Sequence, residues 1–293
     1  MELKEALFYR KLHTGDCECA LCPRRCRVRD GEYGFCMVRR NIGGVFYTQS
    51  YGRVIAANVD PIEKKPLADW MPGTNTFSVG TFGCNLDCRW CQNDTLSRGD
   101  YREFPDAPFY PPEQLVKAAI HRGCPSISYT YNEPAVFAEF VIDAAAEAHR
   151  KKLKNVLVTN GYVTPEAAVD LYRDIDAANF DVKGFSDDFY RRNVNGDLSA
   201  VLASVKYFYS LGKHLELTML IIPTLNDDLE TVKKFIDWVK AELSVDVVLH
   251  FSAFHPAYRC LNLPPTPPKT LFAIRDMAAA AGIKQIKLGN LRA

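Results

Sequence analysis

Residues 84–91 read Cys84-Asn-Leu-Asp-Cys88-Arg-Trp-Cys91, three thiols at C-x3-C-x2-C spacing directly after a strand-like run at 76–82. A cubane iron–sulfur cluster takes four ligands. Three cysteines therefore leave one iron without a protein ligand. An open iron can bind a substrate or a second cofactor, so the loop points to a reactive cluster rather than a passive electron carrier. Gly80 and Gly83 let the backbone wrap closely around a bulky inorganic group. Trp90, between two of the thiols, can shield a cluster or stack on an adenine. The competing reading is zinc with a fourth ligand from elsewhere. Structural zinc usually pairs two short cysteine knuckles, and only three cysteines are local here.

Beyond this loop the chain alternates short β-rich runs with helical patterns. Strands are expected at 76–82, 126–131, 155–159, 178–183, 215–222 and 246–254, with a weaker seventh at 284–288. Helices are expected at 112–121, 135–152, 165–176, 198–211, 229–243 and 269–281. Thr164-Pro165-Glu166 supplies a helix cap followed by proline at the first helical position. Strands alternating with crossover helices imply a parallel sheet. A closed eight-unit barrel typically needs roughly 250 residues. Six clear units fit an incomplete (β/α)6 barrel instead. Parallel barrels carry their chemistry at the C-terminal ends of the strands, where the cysteine loop lies.

The chain divides at about residue 75. Residues 1–75 are rich in cysteine, arginine and glycine and have no long helical period. They are expected to form a small metal-stabilised lead-in module, with turns at Gly43-Gly44 and Tyr51-Gly52. Residues 76–293 are expected to form the barrel. Within the lead-in, Cys19, Cys22, Cys26 and Cys36 offer four thiolates, with Cys17 spare. Zinc or a [4Fe–4S] cluster would each carry about two negative charges there. Arg24, Arg25, Arg27, Arg29, Arg39 and Arg40 would offset them against only Asp30 and Glu32. The choice between the two metals stays open.

Bulk properties exclude several classes. The 293 residues carry a net charge of +1, which argues against a nucleic-acid partner. The longest apolar run, 217–222, is far too short to span a bilayer. The start, Met-Glu-Leu-Lys-Glu-Ala, lacks the apolar core of a signal peptide. A cytoplasmic location is expected. The ten cysteines fall in two groups plus Cys124 and Cys260, a pattern of metal ligands rather than disulfides.

The three-cysteine loop with its aromatic, placed after a first barrel-type strand, resembles the radical S-adenosylmethionine (radical SAM) superfamily. In that family SAM chelates the open iron through its methionyl amine and carboxylate. Reductive cleavage then gives methionine and a 5′-deoxyadenosyl radical that abstracts hydrogen. The resemblance gives catalytic weight to Cys84, Cys88 and Cys91, with Gly83 and Trp90 beside SAM. Four strand ends follow. Tyr131-Asn132-Glu133-Pro134 stands where the family usually has a Gly-Gly-Glu-type segment that holds the SAM amine. Thr159-Asn160-Gly161 resembles a SAM-contacting segment of pyruvate formate-lyase activating enzyme. Asp181 and Lys183, two apart on one strand face, match that enzyme's Asp-x-Lys, with Lys183 toward the SAM carboxylate. His255, before a proline turn, resembles its Phe-His. Without the resemblance these are a turn, a helix start, a buried ion pair and a structural histidine.

Cys-Pro-x2-Cys, Asp60-Pro-Ile-Glu-Lys-Lys-Pro-Leu67, the Cys84 loop and Tyr-Asn-Glu-Pro together resemble one subgroup, the radical enzyme of the AmmeMemoRadiSam system. Its substrate, a small molecule or a protein, is not implied. A low-potential electron donor such as ferredoxin or flavodoxin is. A glycyl-radical activase and a non-catalytic iron–sulfur or zinc protein are the alternatives.

Overall fold

A computed structural model describes residues 3–99 and 102–291. Its main sheet has eight strands, each beside its sequence neighbour: β1 Ala56–Pro61, β2 Asn75–Gly80, β3 Ser126–Tyr129, β4 Lys154–Thr159, β5 Ala177–Asp181, β6 His214–Ile221, β7 Val248–Ala253 and β8 Ile286–Gly289. From β2 to β8 every pairing is parallel. The crossovers are α1 Pro112–His121, α2 Ala138–Arg150, α3 Pro165–Tyr172, α4 Leu198–Ser210, α5 Leu229–Glu242 and α6 Pro268–Ala280. The result is an incomplete parallel barrel of six β/α units closed off by β8. All seven expected strands and six expected helices form. The helix expected from residue 135 begins later, because Pro134–Phe137 is a 3-10 turn that leads into α2.

The eighth strand comes from the lead-in. β1 pairs antiparallel with β2, from Ala56↔Gly80 to Pro61↔Asn75. The composition change at residue 75 therefore falls inside a hairpin. β1 lies at a sheet edge and is largely exposed, so it needs neither the apolar run nor the alternation that marks its neighbours.

The rest of the lead-in forms two small antiparallel sheets. One joins Tyr9–Lys11, Cys17–Cys19 and Arg27–Val28; the other joins Lys4–Glu5, Arg39–Ile42 and Val45–Thr48. Gly43 and Gly44 turn the last hairpin with φ of 59° and 79°, the pair of positive values that suits a two-residue hairpin loop.

The segment after β1 fills the N-terminal end of the barrel. Ile62 and Leu67 are buried against Val156 and Ala177, near the starts of β4 and β5. Pro66 O accepts from Asn179 Nδ2 at 2.8 Å, and Lys65 pairs with Asp60 at 2.9 Å in a buried contact. So the Asp60–Leu67 motif is a plug rather than a linker. Glu216 fastens it. This fully buried carboxylate on β6 accepts from the backbone N–H groups of Ala68 and Asp69 at 3.0 and 2.9 Å. It also meets Nε2 of His214 and of His250. Burial alone would raise its pKa. The imidazoles and amides outweigh burial and bring it from 4.5 down to about 2. Among the described residues, no helix is long and apolar enough to cross a membrane.

A depressed folded-state pKa stabilises the fold fully above the ordinary value, and the stabilisation is lost as pH falls through the folded value. Glu216→Gln should cost about 3 kcal/mol at pH 7, the scale for breaking a buried charged network, measured by denaturant unfolding. The gap between the variant and wild type should narrow as pH falls from 4.5 toward about 2. A gap independent of pH would contradict the charged-anchor account.

Candidate active site

The three-thiol loop leaves β2 at its C-terminal end. Gly83 has φ of 83°, and a Cβ there would strike the Cys36 carbonyl and the Val38 side chain. Only glycine fits this passage. Behind it, Asn132 holds the incoming chain. Its Oδ1 accepts from Thr81 N at 2.9 Å, and its Nδ2 donates to Thr81 Oγ1, Phe82 O and Gly83 O at 3.1, 3.0 and 2.9 Å. Asn132, expected beside SAM, thus spends its amide on residues 81–83.

Other elements grip the loop further along. Arg98 Nη2 donates to Cys84 O and Leu86 O, both at 2.8 Å. A short π-turn, Tyr190–Val194, gives the carbonyls of Val194 and Asn193 to the N–H groups of Asp87 and Arg89. Arg259, beyond β7, donates its backbone N–H to Arg89 O at 2.9 Å and pairs with Asp87 at 3.1 Å.

Cys84, Cys88 and Cys91 are all partly buried. Two donors are aimed at Cys84 Sγ: Leu86 N at 3.4 Å and Asn160 Nδ2 at 3.8 Å. Burial pushes the Cys84 thiol up, and so does the nearby Glu133. Burial also pushes Cys88 up to about 12, with the Lys183 ammonium pulling the other way. Metal binding would have to displace these protons. N–H donors aimed at sulfur with a cation close by suit an anionic cluster. The donor set therefore fits the group that the spacing suggests.

The next strand ends meet at Glu133. Its Oε1 accepts from Thr159 Oγ1 at 2.6 Å and Ala135 N at 3.0 Å, and its Oε2 accepts from Asn160 N at 2.8 Å. Burial raises its pKa against the pull of these donors and of Lys183. The two carboxylate oxygens offer about four lone-pair sites, of which these donors fill three. Thr159 and Asn160 therefore reach the site through Glu133 and Cys84. Asn160 Nδ2 also donates to Asn85 Oδ1 at 3.0 Å. Gly161 has φ of 67°, and a Cβ would lie 2.9 Å from the Phe180 ring.

Asp181 and Lys183 do point together, with Nζ 2.7 Å from Oδ2. Burial would lower the lysine pKa, but Asp181 and the thiols of Cys88 and Cys91 outweigh burial and raise it. Lys183 is thus a fixed cation facing the cysteines. Tyr190 Oη accepts from Lys183 N at 3.1 Å, and Asn226 Nδ2 donates to Lys183 O at 3.0 Å. The sequence marked neither residue. A tyrosine and an asparagine at turns carry no spacing signal, and nor do Arg98 and Asn85.

Two further expected residues have partners of their own. Trp90 is buried with its ring 5.5 Å from that of Phe189, a packing role rather than an open stacking face. His255 Nε2 meets Asn290 O at 2.9 Å, at the β8 end of the sheet.

A family model described as the radical SAM superfamily matches residues 78–239. The chain belongs to that superfamily. An uncharacterized protein of Methanocaldococcus jannaschii is 42% identical over 289 residues, covering 99% of this chain and 86% of that protein. The pyruvate formate-lyase-activating enzyme of Clostridium pasteurianum is 23% identical over 240 residues, covering 80% of this chain and 96% of the enzyme. A radical SAM methyltransferase from Sphaerobacter thermophilus shares the fold with a TM-score of 0.57 at 14% identity. That match covers 75% of this chain and 67% of the methyltransferase. Radical SAM membership implies a [4Fe–4S] cluster and SAM.

If Asn132 sets the loop, Asn132→Ala should weaken iron retention about 10- to 100-fold, the usual scale for outer-shell supports. Iron and sulfide remaining against chelator concentration measure this. Unchanged retention would remove Asn132 from the account.

Proposed function

We propose that Cys84, Cys88 and Cys91 hold a [4Fe–4S] cluster that reductively cleaves SAM, giving methionine and a 5′-deoxyadenosyl radical that takes hydrogen from a substrate. The carrying observation is that Asn160 links the Cys84 sulfur to the Glu133 carboxylate at the C-terminal ends of neighbouring strands, with the Lys183–Asp181 pair at the end of the next. When bound, the cluster supplies the electron and the open iron; the chain supplies placement. Lys183, held protonated by Asp181, would take the SAM carboxylate, and the lone pair of Glu133 that the protein leaves unfilled would take the SAM ammonium. Asn160 and Leu86 donate to the Cys84 sulfur and tune its charge. The electron would come from a low-potential donor such as ferredoxin or flavodoxin. The motif combination supports placing the chain in the AmmeMemoRadiSam subgroup.

Anaerobic reconstitution with a strong reductant should release 5′-deoxyadenosine and methionine from SAM, and Cys88→Ala should abolish both. Undiminished product from Cys88→Ala would end this reading. Lys183→Met should keep the cluster spectrum yet weaken SAM binding about 10- to 100-fold, as loss of a charged hydrogen bond does. Equal binding would remove Lys183 from SAM recognition.

The likeness to the Clostridium pasteurianum activating enzyme favours a second reading, in which the hydrogen donor is a backbone Cα–H of a partner protein. A glycyl doublet in electron paramagnetic resonance, on incubation with candidate partners, would select it.

A further inference from the structure

We infer that Cys19, Cys22, Cys26 and Cys36 bind a second, anionic four-thiolate metal centre, with Arg39 as its buried counter-cation. The backbone brings these thiols together. Cys19 N–H donates to Cys26 O at 2.9 Å, and Cys22 lies in the turn between them, its carbonyl accepting from Arg25 N at 3.1 Å. Cys26 Sγ lies 3.9 Å from where a Cβ on Gly34 would stand, two residues before Cys36. All four cysteines are buried or half-buried in one core. Cys17 is instead paired with Val28 in its small sheet.

Arg39 supplies the independent observation. It is 1% exposed, with Nη1 donating to Leu7 O at 2.7 Å and Nη2 paired to Glu139. Its Nε is buried without a partner among the described residues. An unmet buried donor costs about 1–3 kcal/mol, more when charged. Arg39 O accepts from Gly34 N at 2.8 Å, and the Gly34 Cβ position borders Cys26 Sγ, so this residue lies on the sulfur side of the module and an anionic sulfur centre is a fitting acceptor. Zinc and a [4Fe–4S] cluster on four thiolates share this charge.

The centre would also brace the catalytic loop. The Cys36 carbonyl abuts Gly83, Arg24 Nε donates to Asn85 O at 2.6 Å, and Leu21 O accepts from Thr164 N at 3.0 Å.

The test uses the full chain with Cys84, Cys88 and Cys91 all changed to Ala, so it does not depend on the radical reaction. Purified anaerobically, this variant should keep about four iron with matching sulfide, or about one zinc, per chain. Either result upholds the centre and identifies its metal. X-ray absorption should show all-sulfur coordination. Adding Cys22→Ser should remove the metal, Cys17→Ala should not, and Arg39→Met should weaken retention about 10- to 100-fold. A folded triple variant with no stoichiometric metal, or with nitrogen and oxygen ligands, would overturn the inference. A wild type that makes no 5′-deoxyadenosine but keeps this metal would fail the proposed function alone.

Discussion

The contact on which the architecture turns is the passage of Gly83 between the lead-in and the barrel. Its backbone lies against the Cys36 carbonyl and Val38 on one side, where no side chain fits. On the other side the Asn132 amide bonds residues 81–83. The course of the loop is thus held by contacts within the protein itself. Arg98, the π-turn and Arg259 continue that grip from three other parts of the chain. Contacts of this kind carry the ordering cost of a loop in the fold itself.

The two ends of the barrel are polar for opposite reasons. At the C-terminal ends of the strands, charged groups keep unused capacity: Glu133 has a lone pair, and Lys183 faces thiols. At the N-terminal ends, charges are saturated. Glu216 has four partners, and Asp60 has Lys64, Lys65 and Tyr131. Tyr131 bridges the two regions, since it follows β3 at the mouth while its hydroxyl donates to Asp60 at 2.9 Å. Unused capacity marks a binding end, and saturation marks a structural one.

Much of this was legible in the amino-acid order. Buried parallel strands such as β6 and β7 announce themselves as apolar runs, and Thr164 caps α3 as its position before Pro165 suggests. The three-thiol loop and the Asp181–Lys183 pair also stood out, because their spacing is itself the signal. What stayed hidden depends on distant partners. β1 is an exposed edge with no periodicity. The 60–67 motif reads as charged linker until Val156 and Ala177 are seen against it. That the Asn132 amide bonds residues 81–83 is visible only in the fold.

The plug carries a consequence for biosynthesis. Ala68 N–H and its Glu216 acceptor are 148 residues apart in the chain. At about 5–20 residues per second, roughly 7–30 s separate their emergence from a ribosome. Through that interval the early segment has β2 to pair with but no anchor for its amides, and Ile62 and Leu67 lack part of their final cover. The nascent polypeptide therefore carries these groups open to chaperone capture, or to misassociation, through the middle of translation, until β6 docks.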